Sequence, residues 1–140
     1  MINKLKVLIS GCLLLVSAIT LQAQNAVGKW KLISETTIFD GKAIDMHKPL
    51  VQSKPCVANI IYEFTEDGNA RLIASNSGCD AEYIRIQEKL WSEMKWKVVG
   101  DAIKTSTTNF AIANTYIISF KSNTMMWNDE YGGTMIYQKQ

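Results

Sequence analysis

The 140-residue chain has one histidine, two prolines and three cysteines, and its 15 basic residues nearly balance 13 acidic ones. Each shortage excludes something. A metal centre needs several nitrogen, sulfur or carboxylate ligands converging on one point. His47 is alone, with Asp45 two residues away, so no metal ligands are expected. The same scarcity leaves any Ser-His-Asp or Cys-His arrangement dependent on one histidine in a polar stretch. No run of lysine and arginine exists, so the electrostatic footprint of a nucleic-acid surface is missing. No Gly-rich loop leads into a helix to cradle phosphate, and no repeat recurs every 20–50 residues. No low-complexity tract or linker divides the chain.

The one long apolar run lies at the start. Lys4 and Lys6 precede Leu13-Leu14-Leu15-Val16, and Leu21-Gln22-Ala23 offers a small-residue cleavage site before Gln24. Residues 1–23 therefore read as a secretory signal peptide and 24–140 as one domain. Ile9-Ser10-Gly11-Cys12 also resembles a bacterial lipobox, and membrane attachment is expected only if Cys12 carries a lipid. Cleavage leaves about 117 residues, with 13 basic against 13 acidic. The protein is thus expected to be exported, to the periplasm, cell envelope or extracellular space, and soluble apart from any anchor.

Two cysteines survive cleavage, an even number that suits an oxidising compartment. Glu66-Asp67-Gly68-Asn69 carries a hairpin signal, because a type I′ turn needs positive φ at both central residues. With Asp67 and Gly68 as a two-residue loop, paired positions sum to 135, as do Cys56 and Cys79. Without a bulge, a disulfide would close across the far end of that hairpin.

Short alternating runs separated by turn residues fill the rest: Trp30 to Phe39, Val57 to Thr65, Asn69 to Ser75, Tyr83 to Glu88, Trp91 to Val99, Ala102 to Thr107, Ile112 to Phe120, Thr124 to Trp127 and Thr134 to Gln138. Pro49 and Pro55 argue against regular structure between Asp40 and Pro55. No segment shows a sustained helical period; Glu82 to Lys95 comes nearest. The expected fold is all-β, an antiparallel up-and-down barrel of about eight to nine strands, because closure removes exposed strand edges.

Gly28-Lys29-Trp30 directly after the signal resembles the opening of the lipocalin superfamily. Tyr62-Glu63-Phe64-Thr65-Glu66-Asp67-Gly68, Trp96-Lys97-Val98 before Gly100-Asp101-Ala102-Ile103, Tyr116-Ile117-Ile118-Ser119, Asn123-Thr124-Met125 and Tyr137-Gln138-Lys139 extend the likeness to short bacterial lipocalin-like domains. Asn114-Thr115-Tyr116 stands where larger lipocalins carry Thr-Asp-Tyr. The resemblance implies a calycin-type barrel whose base is closed by Trp30 beside Gly28, with Lys139 in the place of the usual basic cap. It also implies a ligand-binding protein rather than an enzyme.

Among the carboxylates, Asp67 belongs to a turn, and Asp129 and Glu130 to a hairpin tip. Glu63 alternates with Tyr62 and Phe64 and so faces away from them; Glu66 completes the set. No catalytic residue and no cofactor are expected. The remaining signal is aromatic. Tyr62, Phe64, Trp96, Tyr116, Phe120 and Met126 are the expected interior lining for a small, mostly apolar ligand, with the stretch Asp40–Pro55 as a lid. The alternative is a solid barrel, filled by these same side chains, that serves as a protein-interaction or envelope-structural module.

Overall fold

Eight short strands follow one another around a nearly closed antiparallel barrel, and the first of them joins the last. The structure, a computed structural model, describes residues 22–140. Most of the signal segment and the lipobox at Cys12 lie outside the described residues. The strands are β1 (Gly28–Phe39), β2 (Lys42–Asp45), β3 (Ile61–Phe64), β4 (Ala70–Ile73), β5 (Lys95–Val99), β6 (Ala102–Ser106), β7 (Asn114–Lys121), β8 (Thr124–Asn128) and β9 (Thr134–Lys139). The sheet order is β4-β3-β1-β9-β8-β7-β6-β5, with β2 as a hairpin extension of β1. Between β4 and β5 the seam is closed by one bridge, Asn69 to Lys95, flanked by the Ala70 amide donating to Met94 and the Trp96 amide donating to Gly68.

Two helices interrupt what sequence alternation presents as all strand and loop. Helix α2 (Ala81–Leu90) replaces the strand expected from Tyr83 to Glu88. Asp80 caps it, its carboxylate accepting from the Tyr83 amide at 2.9 Å, and Glu82 and Lys89 sit at the ends that the helix dipole favours. Its helical period is masked because Glu88 lies on the inward stripe. There the Glu88 carboxylate accepts from the Ala74 and Ser75 amides at 2.9 and 3.1 Å, satisfying backbone just beyond β4. Tyr83 and Ile84 on the same stripe pack against Val57, Ile60, Leu72 and Ala74.

The stretch Asp40–Pro55 is also more regular than its prolines suggest. Asp40 and Gly41 both take positive φ, 50° and 71°, and join Phe39 directly to Lys42. The two-residue turn chemistry expected at Asp67-Gly68 is therefore found here. Helix α1 (His47–Ser53) follows, with Pro49 in its first turn, where the missing N–H has no helical partner to lose. Asp45 accepts from the His47 and Lys48 amides, both at 3.0 Å.

At the Asp67 turn the loop has three residues. Phe64 pairs with Ala70 and Ile61 with Ile73, one position out of the expected register. Gly68 takes φ 84°, and the Thr65 hydroxyl donates to the Asp67 carboxylate. Cys56 and Cys79 are nevertheless bonded, with Cα atoms 5.2 Å apart. They meet beyond the ladder, between a 3-10 turn (Pro55–Asn59) and the residue before the cap of α2.

The end of the barrel at Trp30 is plugged. Residues 22–26 form a helical turn that brings the Ala26 carbonyl within 2.9 Å of the Trp30 indole N–H. Lys139 places Nζ 4.6 Å above the Trp30 ring and donates to the Val27 carbonyl at 2.7 Å. Gly28, at φ 131°, lies so close that a Cβ there would come within 2.7 Å of that ammonium. This is the closed end.

The loop between Cys56 and Cys79 spans 23 positions, for which cross-linking contributes about 3 kcal/mol through the unfolded state. The double variant Cys56→Ser/Cys79→Ser is expected to lose that amount in urea unfolding. Equal unfolding free energies for variant and wild type would show that the α1–α2 region is held without the bond.

Candidate binding site at the open end of the barrel

Directly opposed residues of an antiparallel pair share a face, so register decides what points inward. Tyr62 pairs with Trp30 and Leu72, Tyr116 with Ile103, Trp96 with Thr105, and Phe120 with Met125. Tyr62, Phe64, Trp96, Tyr116 and Phe120 accordingly all belong to or pack on the main core. Met126 does not. It is 37% exposed, whereas Met125 is fully buried; the Ser122-Asn123 turn pairs Lys121 with Thr124 and puts Met125, not Met126, opposite Phe120.

The interior is not uniform along the barrel axis. Toward the closed end it is filled: Phe64 meets Trp96 and Trp127, each at 5.6 Å between ring centroids, and Phe120 meets Trp30 at 6.5 Å. From these rings a continuous aromatic wall runs on, Trp91–Tyr62–Tyr137–Trp127–Tyr116, with successive centroids 5.2, 5.6, 5.0 and 5.2 Å apart. Each of these rings carries a polar atom. Trp127 is 2% exposed and its indole N–H has no hydrogen-bond partner. The other two indoles of the main core are satisfied, Trp30 by Ala26 and Trp96 by the Thr65 carbonyl at 3.0 Å. The Tyr137 hydroxyl has only the weak acceptor Met135 Sδ, at 3.6 Å.

Strict alternation from Trp30 and Leu32 would place Ser34 inside and Glu35 outside. A bulge between Leu32 and Ser34 reverses this, so that Glu35 pairs with Met135, which packs on the core. Glu35 therefore faces the interior beside the tyrosines. Burial first, and then the Glu35 charge, push Tyr62 up to about 12. Burial likewise raises Tyr137 well above 10.0, with Tyr62 and Glu35 adding to it. Tyr116 is raised by burial, then by Asp129 and Glu35.

Above Tyr116 a cleft of about 580 Å3 opens between the start of β7 and the turn after β8, lined by Asn114, Tyr116, Asn128, Asp129, Glu130 and Tyr131 among others. Asp129 holds this turn, accepting from the Tyr131 and Gly133 amides at 2.9 and 2.7 Å. A second cleft of about 470 Å3 lies between α2 and Thr107. A third, of about 490 Å3, lies at the closed end around Gly28 and Asp67. Among the described residues no group of three metal-ligating side chains converges. Glu63 is buried against Arg71, whose Nε donates at 2.7 Å, and Asp67 is consumed by its turn.

Of the expected lining residues, Tyr62 and Tyr116 belong to the aromatic wall, whereas Phe64, Trp96 and Phe120 pack with one another or with Trp30 and Trp127. Trp127, Tyr137, Met135 and Glu35 complete the site unexpectedly. Trp127 was visible as the next inward position after Met125; Glu35 was hidden by the bulge. No family model, curated protein or solved structure matches the chain.

A tyrosine that ionises less readily folded than unfolded makes the folded state hold a proton that the unfolded chain releases above pH 10. Stability is then complete below pH 10 and falls as pH rises through 12. Moving Tyr62 from 10.0 to about 12 corresponds to roughly 2–3 kcal/mol over that interval. Tyr62→Phe is expected to flatten the decline in unfolding free energy between pH 10 and 12. Identical slopes in variant and wild type would show that Tyr62 ionises freely in the folded protein.

Proposed function

We propose that this protein is an exported, lipocalin-like binding protein, not an enzyme, that takes a small, mostly apolar ligand at the open end of its barrel. The observation that carries this reading is the indole N–H of Trp127, buried and unpartnered inside the barrel. A buried donor left without an acceptor costs roughly 1–3 kcal/mol. A ligand carbonyl, ether or hydroxyl oxygen would relieve that cost, while the rings of Tyr62, Tyr116 and Tyr137 cover its apolar body. The filled floor confines the ligand to the mouth, so a small ring compound suits the space better than a long chain. The Cys56–Cys79 bond is consistent with a non-reducing compartment. No helix of the described residues is long and apolar enough to cross a membrane, so a membrane association would come through Cys12.

One observation favours the second reading, a protein-interaction module. Phe39 at the end of β1, and Ile112 and Tyr131 on loops, are 71, 77 and 75% exposed, and such side chains suit a protein contact. The two readings differ at Trp127. Titration with 2-phenoxyethanol, an uncharged aromatic ether, is expected to shift the Trp127 indole N–H resonance and leave those of Trp30 and Trp96 in place. Trp127→Phe is expected to weaken the same titration about fivefold, the value of one ordinary hydrogen bond. An unmoved Trp127 resonance at saturating probe would sink the small-ligand reading.

A further inference from the structure

Three carboxylates stand near the aromatic wall. Glu35 enters the interior from β1 through the bulge, and Asp129 and Glu130 line the cleft above Tyr116. No lysine or arginine lines that cleft. Among the described residues the four ion pairs are Lys29–Glu63, Lys54–Asp80, Arg71–Glu63 and Arg85–Glu82. None of them uses Glu35, Asp129 or Glu130. The nearby rings add to the same sign, because the face of an aromatic ring is its negative side.

Resting on the small-ligand reading, we propose that the ligand is an organic cation: a protonated amine attached to an apolar ring and carrying an oxygen acceptor near it. The ammonium sits toward Glu35 and the acidic rim, within the aromatic wall of Tyr62, Tyr116 and Tyr137, and the oxygen accepts from the Trp127 indole. Three physical terms favour this class over a fatty acid or aryl carboxylate. A carboxylate entering here meets Glu35 and Asp129, and no lysine or arginine lines the cleft, at an effective dielectric well below that of water. An ammonium gains both the ion pair and cation–π attraction to the rings, which strengthens as the site is desolvated. The orphan indole donor independently calls for an acceptor, so the site recognises a bifunctional molecule and not a simple inorganic cation. Glu35 also lies near enough to all three tyrosines to add to the upward shift that burial gives them.

Three probes of nearly one shape test the class: 2-phenoxyethylamine, 2-phenoxyethanol and phenoxyacetate share ring and ether oxygen and differ in charge. Titrated against the full-length secreted protein, with the Trp127 indole N–H resonance as readout, the amine is expected to bind about tenfold tighter than the alcohol. Phenoxyacetate is expected to bind weakest. Glu35→Gln should erase the preference for the amine over the alcohol, with the Trp30 and Trp96 indole resonances reporting an intact fold. Wild-type amine binding should also weaken in 0.5 M salt, a measurement that needs no variant. Equal binding of the three, or tightest binding of the carboxylate, overturns the cation proposal and leaves small-ligand binding standing. Failure of all three to move Trp127 overturns the binding site itself.

Discussion

The extra residue that β1 carries between Leu32 and Ser34 is the constraint on which the rest depends. β1 pairs with three strands: β3 at its start, β9 along most of its length and β2 at its end. Its first half must turn Trp30 and Leu32 inward to close the base. A strand with an unbroken period of two would then carry Ser34 inside and leave Glu35 in solvent. The bulge instead delivers Glu35 to the interior opposite Met135. One irregularity in the strand that closes the barrel thus gives its two ends different chemistry.

That difference shows in how well the polar atoms of the interior are matched. Near Trp30 the aromatic rings interlock and their indoles are hydrogen-bonded to carbonyls. Such packing is worth about 0.5–1.5 kcal/mol per ring pair beyond burial. Near Tyr116 the rings still touch, but their polar atoms are poorly matched: a partnerless indole and a hydroxyl directed at sulfur. Native folds rarely leave a buried donor unpaired, which sets Trp127 apart from the other two core indoles.

Much of this was legible from residue order. The barrel class, the inward faces of Tyr62, Trp96 and Tyr116, and the turn at Gly100 follow from alternation and turn chemistry; the cysteines pair as expected, but not through the hairpin register that suggested it. What was not legible has local causes. Helix α2 is concealed by Glu88, a charged residue whose inward placement is required by the amides of Ala74 and Ser75, so a search for an apolar stripe passes over it. The Asp67-Gly68 and Asp40-Gly41 dipeptides look alike, yet Thr65 closes a three-residue loop at the first and the second takes the two-residue turn. Met126 was placed inside because an Asn123-centred turn leaves two adjacent methionines to choose between, and only register separates them. Glu35 required knowledge of a bulge, which depends on the pairing partner and not on the strand itself.

The 3-10 turn and α2 meet beside one end of the aromatic wall. The disulfide ties the 3-10 turn to the cap of α2, and Lys54 reinforces the tie by donating to Asp80 at 3.2 Å while lying 4.6 Å from the Tyr83 ring. Under them sits a second apolar cluster built on Val57, Ile60, Leu72 and Ala74. Tyr62 and Trp91 belong to the margins of both this cluster and the main core, and they are also adjoining members of the aromatic wall. The tie therefore bears on two rings of the aromatic wall and not on the fold alone. A non-reducing compartment, which the bond suits, keeps Tyr62 and Trp91 placed against both clusters.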